Sequence, residues 1–248
     1  MRYGDLTYEQ IRDCASRGWL AIVPTGCTEQ QGPHLPVDFD TWFAEYLCIA
    51  ASERAAHGHG IRSLVLPAFP FGPTPEHRNY GSGYIDIPVD VHDSLVFAVL
   101  TSLADQSFRK IVIWRGCGGH DLRGTVDRFN DAFDGRTEAF LPDHPFHDIW
   151  CRLADASVSG GHADSFTTSI VLHLRPEAVR KDMIVDPGHE PVDWSDPDLD
   201  FSRYSPIGVI GDPTHASAEL GAKLWEAVVA AVASIFRSVG ENDATFGT

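Results

Sequence analysis

Two short runs of almost unbroken apolar residues, Trp19 to Val23 (WLAIV) and Lys110 to Trp114 (KIVIW), most constrain what this chain can become. A strand that is apolar on both faces has to be covered on both faces, which is the condition of a parallel sheet inside an α/β fold. Helical patterns alternate with these runs. Thr7 and Gln10 have capping-box spacing and open a helix that stops at Gly18. Asp40 is placed as the N-cap of the next helix, whose apolar face is Phe43, Tyr46, Leu47, Ala50 and Ala51 and which Gly58 and Gly60 end. Ser63 to Leu66 reads as a second strand, followed by a Pro- and Gly-rich loop, PAFPFGPTPEHRNYGSG, with no regular pattern.

Asp90 to Gln106 carries helical periodicity, and Gly116, Gly118 and Gly119 form a tight turn after KIVIW into a helix from Asp121 to Phe133. A short strand is expected at Thr137 to Phe140, a helix from Asp164 to Leu174 that Pro176 ends, an irregular acidic segment over 181–206, and a long helix from Ser217 to Val239 closed by Gly240. The order predicts a three-layer α/β/α sandwich with a mostly parallel central sheet, with no repeat or linker to divide residues 1–248 into more than a single domain.

Composition excludes some functions. A formal net charge of −16, with acids concentrated over 186–200, repels phosphate backbones, so neither nucleic acid nor an anionic membrane is expected as a partner. No apolar run is long enough to span a bilayer and the first residues lack the regions of a signal peptide, which predicts a cytoplasmic protein. The five cysteines show no C-x-x-C spacing, so reduced thiols are expected rather than a disulfide framework or zinc knuckle.

In such sheets the ligand crevice lies beyond the carboxyl ends of the strands. Polar clusters follow the apolar strands there: Glu29 to Asp40 with Gln31 and His34 between them, Glu76-His77-Arg78, and Cys117 with His120. A further pair, His162 and Asp164, sits at a Gly160-Gly161 turn before a helix. Taken singly each has a structural explanation: His34 braces a loop, Asp40 caps a helix, Cys117 fills a turn, and Glu76-His77-Arg78 is a solvated tip. Their convergence after successive strands argues for a site.

The same residues resemble the creatininase (creatinine amidohydrolase) family. Its G-S-x-E-Q-H-G-P-H-L-P segment with a later Asp is similar to Gly26 through Pro36 with Asp40, and its E-H loop to Glu76-His77 with Tyr80 to Gly83. Its N-G-H-G-G-N turn resembles Arg115 to His120, its H-A-G-E-x-E-T-S helix start resembles His162 to Ser169, and a C-terminal pattern is met by Gly208, Gly211, Pro213, Ala216, Glu219 and Gly221. The resemblance implies two divalent ions and a bridging water that attacks a cyclic amide or related C–N bond. Of the implied ligands Glu29 and Asp40 remain, with His162 as the proton shuttle, whereas Gln31 and Cys117 stand for histidines and Thr167 for a glutamate.

Those replacements leave three readings. One is a C–N-bond enzyme acting on a small nitrogen-containing metabolite without metal, through nucleophilic or acid–base chemistry of Cys117 with His162 or His120, with Glu29 and Asp164 also catalytic. Gln31, His34, Glu76, His77, Tyr80 and Thr167 are then expected to bind substrate, under aromatic residues of Phe71–Tyr84 and Trp194–Tyr204. Another is an amidohydrolase with one zinc or manganese ion on Glu29, Asp40 and Cys117. The last is a non-catalytic binding or assembly protein, whose pocket would be closed by apolar side chains. The resemblance also implies a homo-oligomer, a hexamer.

Overall fold

A computed structural model describes residues 1–155, 158, 160–188 and 191–242; His189 and Glu190 of the acidic segment lie outside them. The helices and strands run α1 (Tyr8–Ser16), β1 (Leu20–Thr25), α2 (Phe39–His59), β2 (Ser63–Val65), α3 (Val89–Asp105), β3 (Lys110–Arg115), α4 (Arg123–Ala132), β4 (Glu138–Phe140), α5 (Phe146–Leu153), α6 (Ser165–Leu174) and α7 (Ala218–Glu241). The four strands pair in parallel in the order β2-β1-β3-β4.

The double burial demanded by WLAIV is met by one core on each face. Leu20 and Ile22 of β1, with Val112 and Trp114 of β3, join the core that holds α2, α5, α6 and α7. The alternate residues Ala21, Val23, Ile111 and Ile113 join the other, with α1, α3 and α4. Among the described residues no helix is long and apolar enough to cross a membrane.

Local chemistry sets most boundaries as expected. Thr7 and Gln10 form the capping box of α1. Ser217 caps α7 by accepting from Leu220 N at 3.1 Å. Three expectations change. The N-cap of α2 is Asp38 and its carboxylate pairs with Arg175, whereas Asp40 lies in the first turn with its side chain buried. Gly240 does not close α7, which continues to Glu241; a side chain there would press on Ile61 at 2.8 Å. α5 was not expected at all, because eight residues behind Pro142 and Pro145 give too short a period to read. The loop after β2 also holds a short 3-10 helix, Pro75–Tyr80.

The chain moves from β1 to β2 on one side and returns to β3 on the other, so the sheet reverses its winding between β1 and β3. At such a switch point the loops part and leave a crevice at the carboxyl ends. The register pairs Thr25 with Arg115, and Cys27 and Cys117 each lie two residues beyond. Gly116 permits the approach, for a Cβ there would stand 2.5 Å from the Thr25 carbonyl oxygen and 2.8 Å from that of Asp40. Gly116→Ala is therefore expected to cost about 1–3 kcal/mol in chemical denaturation. An unchanged midpoint would contradict this packing.

Candidate active site

Glu29 is the centre of the crevice. Its Oε2 accepts from Cys27 Sγ at 3.0 Å and lies 3.8 Å from Cys117 Sγ and 3.4 Å from His77 Nε2. Its Oε1 lies 3.4 Å from His162 Nδ1 and accepts from Gln31 Nε2 at 3.3 Å. The same Gln31 nitrogen donates to Asp40 Oδ2 at 2.7 Å, so one neutral amide bridges the two carboxyl groups. Burial, followed by the neighbouring Cys117 and Asp40, raises the Glu29 carboxyl well above the usual carboxylate range. Burial pushes Asp40 up to about 7.

The hydrogen-bond partners assign the tautomers of the two facing imidazoles. His162 Nε2 donates to the Gln30 carbonyl at 2.6 Å, which turns the Nδ1 lone pair toward Glu29. His77 Nδ1 accepts from Gln30 Nε2 at 3.0 Å, which leaves its Nε2–H aimed at Glu29 without a hydrogen-bond partner of its own. Gln30 is fixed in turn by donating to Gly208 O at 3.0 Å and accepting from Gly32 N at 2.9 Å. Ala163, beside His162, is fully buried with φ 53°, a left-handed backbone that an L residue adopts at a cost.

Burial holds five histidines neutral: His34, His144 and His162 at about 4, His120 at about 3 and His77 at about 2, against an ordinary 6.5. The unfolded chain therefore binds more protons below that value, and the stability these groups supply is lost as pH falls through it toward the folded values. Asp40 and Glu29 act oppositely, since their raised carboxyls lose stability as pH rises toward their folded values. Burial also raises the carboxyls of Glu76 and Asp164 and lowers His92, so six lowered histidines stand against four raised carboxyls. The thermal midpoint is expected to drop by about 5–10 °C between about pH 7 and 5.5; a midpoint that rises on acidification would contradict the neutral histidines.

A cavity of about 770 Å³ opens over this network. Its wall includes Glu29, Gln31, Asp40, Glu76, His77, Cys117, His162 and Thr167, so those expected residues converge. Others do not. His34 is fully buried with Nε2 2.8 Å from Thr168 Oγ1 and lies outside the wall, where it braces its loop. Tyr80 is also outside, donating its hydroxyl to Ser205 O at 2.6 Å. His120 is buried with Nε2 donating to Pro73 O at 3.2 Å and its ring against His92 at 4.8 Å, and it does not reach the wall.

Asp164 touches the cavity, but its carboxylate caps α6, accepting from Thr167 N at 3.0 Å and Gly161 N at 2.8 Å. Asp164→Ala is expected to cost about 1 kcal/mol of stability with far less effect on turnover than loss of Cys117; unfolding and rate measurements on the purified variant check both. The expected aromatic cover is met by Trp194 and Phe201, whereas Phe71 and Tyr84 lie outside the wall. The pairing of Cys117 with His162 is indirect, because Glu29 stands between them.

Cys27, Gln30 and α5 are absent from the expected set. Cys27 could have been found by counting two residues beyond the ends of WLAIVPT and KIVIWR, the level at which Cys117 was found. The potential ligand groups are also redistributed. Ligand atoms within 4.8 Å of one another occur in the sets Cys27, Glu29 and Asp40; Cys27, Cys117 and His120; and Glu29, His77 and His162. Glu29, Asp40 and Cys117, the trio expected to hold a metal, do not form one of these sets; Cys27 stands beside the two acids instead.

The chain and its fold have counterparts among known proteins. The mycofactocin precursor peptide peptidase of Mycobacterium ulcerans (strain Agy99) is 31% identical over 221 residues, covering 85% of this chain and 82% of its own. The creatinine amidohydrolase of Pseudomonas putida is 22% identical over 256 residues, 94% of this chain and 95% of its own. A solved variant creatininase of the zinc–zinc type superposes with a TM-score of 0.83 at 21% identity, covering 95% of this chain and 96% of that one, which supports the shared fold. The creatininase profile, described as creatinine amidohydrolase, matches residues 4–236. The expected three-layer α/β sandwich is the one observed, and the relatives are hydrolases. With nearly its whole length matched by that profile, the chain is an amidohydrolase-like enzyme and belongs to the creatininase family.

Proposed function

We propose that this enzyme hydrolyses the C–N bond of an amide in a small nitrogen-containing metabolite or peptide through the thiol of Cys117. One observation carries the reading: Cys117 Sγ stands on the cavity wall 3.8 Å from Glu29 Oε2, and the other oxygen of that carboxyl faces the lone pair of His162 Nδ1 at 3.4 Å. As the sulfur adds to the carbonyl carbon, its proton moves to Oε2 while the Oε1 proton moves to Nδ1. The reverse transfer delivers a proton to the leaving nitrogen, and water then cleaves the thioester by the same relay. Distances of this length shorten in a substrate complex. The free Nε2–H of His77 is a donor for the developing oxyanion. Both named relatives act on C–N bonds, one in a precursor peptide and one in creatinine.

The residues do not fit a centre of two hard divalent ions. Gln31 and Thr167 are poor ligands, and the Gln31 amide nitrogen already joins the carboxyls of Glu29 and Asp40 by donating to both. A single zinc ion is the second reading, favoured by the soft set of Cys27, Cys117 and His120 and by a buried His120 Nδ1 that has no partner. Bound there, zinc would supply a Lewis acid. A pocket closed by apolar side chains would favour the binding-only reading, and the cavity is instead open onto Glu29, His77 and His162.

Alkylation separates the readings. Iodoacetamide is expected to label Cys117 with parallel loss of activity and protection by substrate, peptide mapping distinguishing it from the exposed Cys151. Full activity after stoichiometric labelling of Cys117 would sink the thiol route.

A further inference from the structure

The cavity wall also carries aromatic rings that this chemistry does not use. α5 and the start of α6 bring Phe146, Trp150 and Phe166 to its wall, joined by Phe43 of α2. The rings form one surface, with centroids 5.9 Å apart for Phe43 and Phe146, 5.4 Å for Phe146 and Phe166, and 6.4 Å for Trp150 and Phe166. Another aromatic pair, Trp194 and Phe201 at 5.7 Å, adjoins the reacting end, where Phe201 lies 5.1 Å from His77 and 5.5 Å from His162. A small cyclic amide would leave much of the cavity unfilled, because 770 Å³ is a volume that suits a drug-sized ligand, within the span of about 300–1,000 Å³.

Charge narrows the class further. Among the described residues, no Lys or Arg lines the cavity, and Glu29, Asp40, Glu76 and Asp164 all do. A substrate carboxylate would be stripped of water with no cation on the wall to pair with it. An uncharged amide meets neither penalty, and an aromatic group on it gains ring contacts beyond its buried area.

Resting on the hydrolase reading above, we propose that the substrate is an uncharged amide bearing an aromatic ring. Its C–N bond lies at Cys117 and Glu29, and its ring lies against Phe146, Trp150 and Phe166. These three rings then determine specificity, and none of them takes part in proton transfer.

Calorimetric titration of the full chain with 3-phenylpropanamide, 3-phenylpropanoate and 2-pyrrolidinone tests it, with turnover followed in parallel. The aromatic amide is expected to bind at least about tenfold tighter than either of the others. Phe166→Leu, which keeps most of the packing volume, and Phe166→Ala are both expected to weaken the aromatic amide while leaving 2-pyrrolidinone unchanged. Equal or tighter binding of the carboxylate, no detectable binding of the aromatic amide, or equal weakening of both amides would overturn the proposal. If the aromatic preference is found but no amide is cleaved, the hydrolytic reading fails and the substrate class stands. If amides are cleaved through Cys117 without aromatic preference, the reverse holds.

Discussion

Cys117→Ala is expected to reduce kcat by on the order of a thousandfold with little change in stability, because in the proposed thiol route its removal takes out the bond-forming atom. The residue sits in a turn at the cavity wall, and Ala fits wherever Cys does. Cys27→Ala is the informative control. Its thiol also donates to Glu29, at 3.0 Å, but it is fully buried and outside the wall. Its loss should therefore disturb the Glu29 carboxyl and lower turnover much less. Single-turnover kinetics with trapping of a thioester would show the covalent intermediate in the parent and its absence in Cys117→Ala. Equal effects of the two substitutions would mean that the cysteines act as a pair, as in the zinc reading, and not as nucleophile and neighbour.

Glu29→Gln is expected to lower kcat/KM by about 10²–10⁴-fold, the range for removal of a general acid–base group. The substitution keeps the shape and the acceptor for Cys27 but cannot pass a proton from Cys117 to His162. Stability should move the other way. The buried carboxyl has a raised pKa, so its contribution falls as pH rises toward the folded value, and a neutral amide removes that penalty. The two assays therefore diverge: Glu29→Gln melts higher than the parent at alkaline pH and turns over slowly at every pH. A variant that is slow because it is unfolded would show low melting instead.

Much of the architecture was legible in the sequence because its causes are local. The runs WLAIV and KIVIW state their own burial, and the capping box at Thr7 and Gln10 marks a helix start. The strand ends pointed to the crevice, and Glu29, Gln31, Glu76, His77, Cys117, His162 and Thr167 do line one cavity. What the sequence hid depends on distant partners. Asp40 looks like a cap until Gln31 is seen to hold it inside the site at 2.7 Å. Asp164 looks catalytic, and only the fold shows that its carboxylate also accepts from two backbone N–H groups. His34 and Tyr80 carry reactive groups, yet Thr168 and Ser205, far along the chain, bind them. Cys27 becomes visible only through register, since nothing in its own neighbourhood says that β3 delivers a second thiol beside it. α5 is too short to announce itself, and it supplies Phe146 and Trp150 to the cavity wall.

The claim that Cys117, Glu29 and His162 have taken over from a two-ion centre is tested most directly by metal content measured against activity. The protein is purified without added metal, its zinc and manganese are quantified by mass spectrometry, and amide hydrolysis is assayed before and after exhaustive chelation. The account predicts substoichiometric metal, activity that survives chelation, and inactivation by alkylation of Cys117. Two ions per chain, with activity lost on chelation and restored by zinc or manganese, would contradict it.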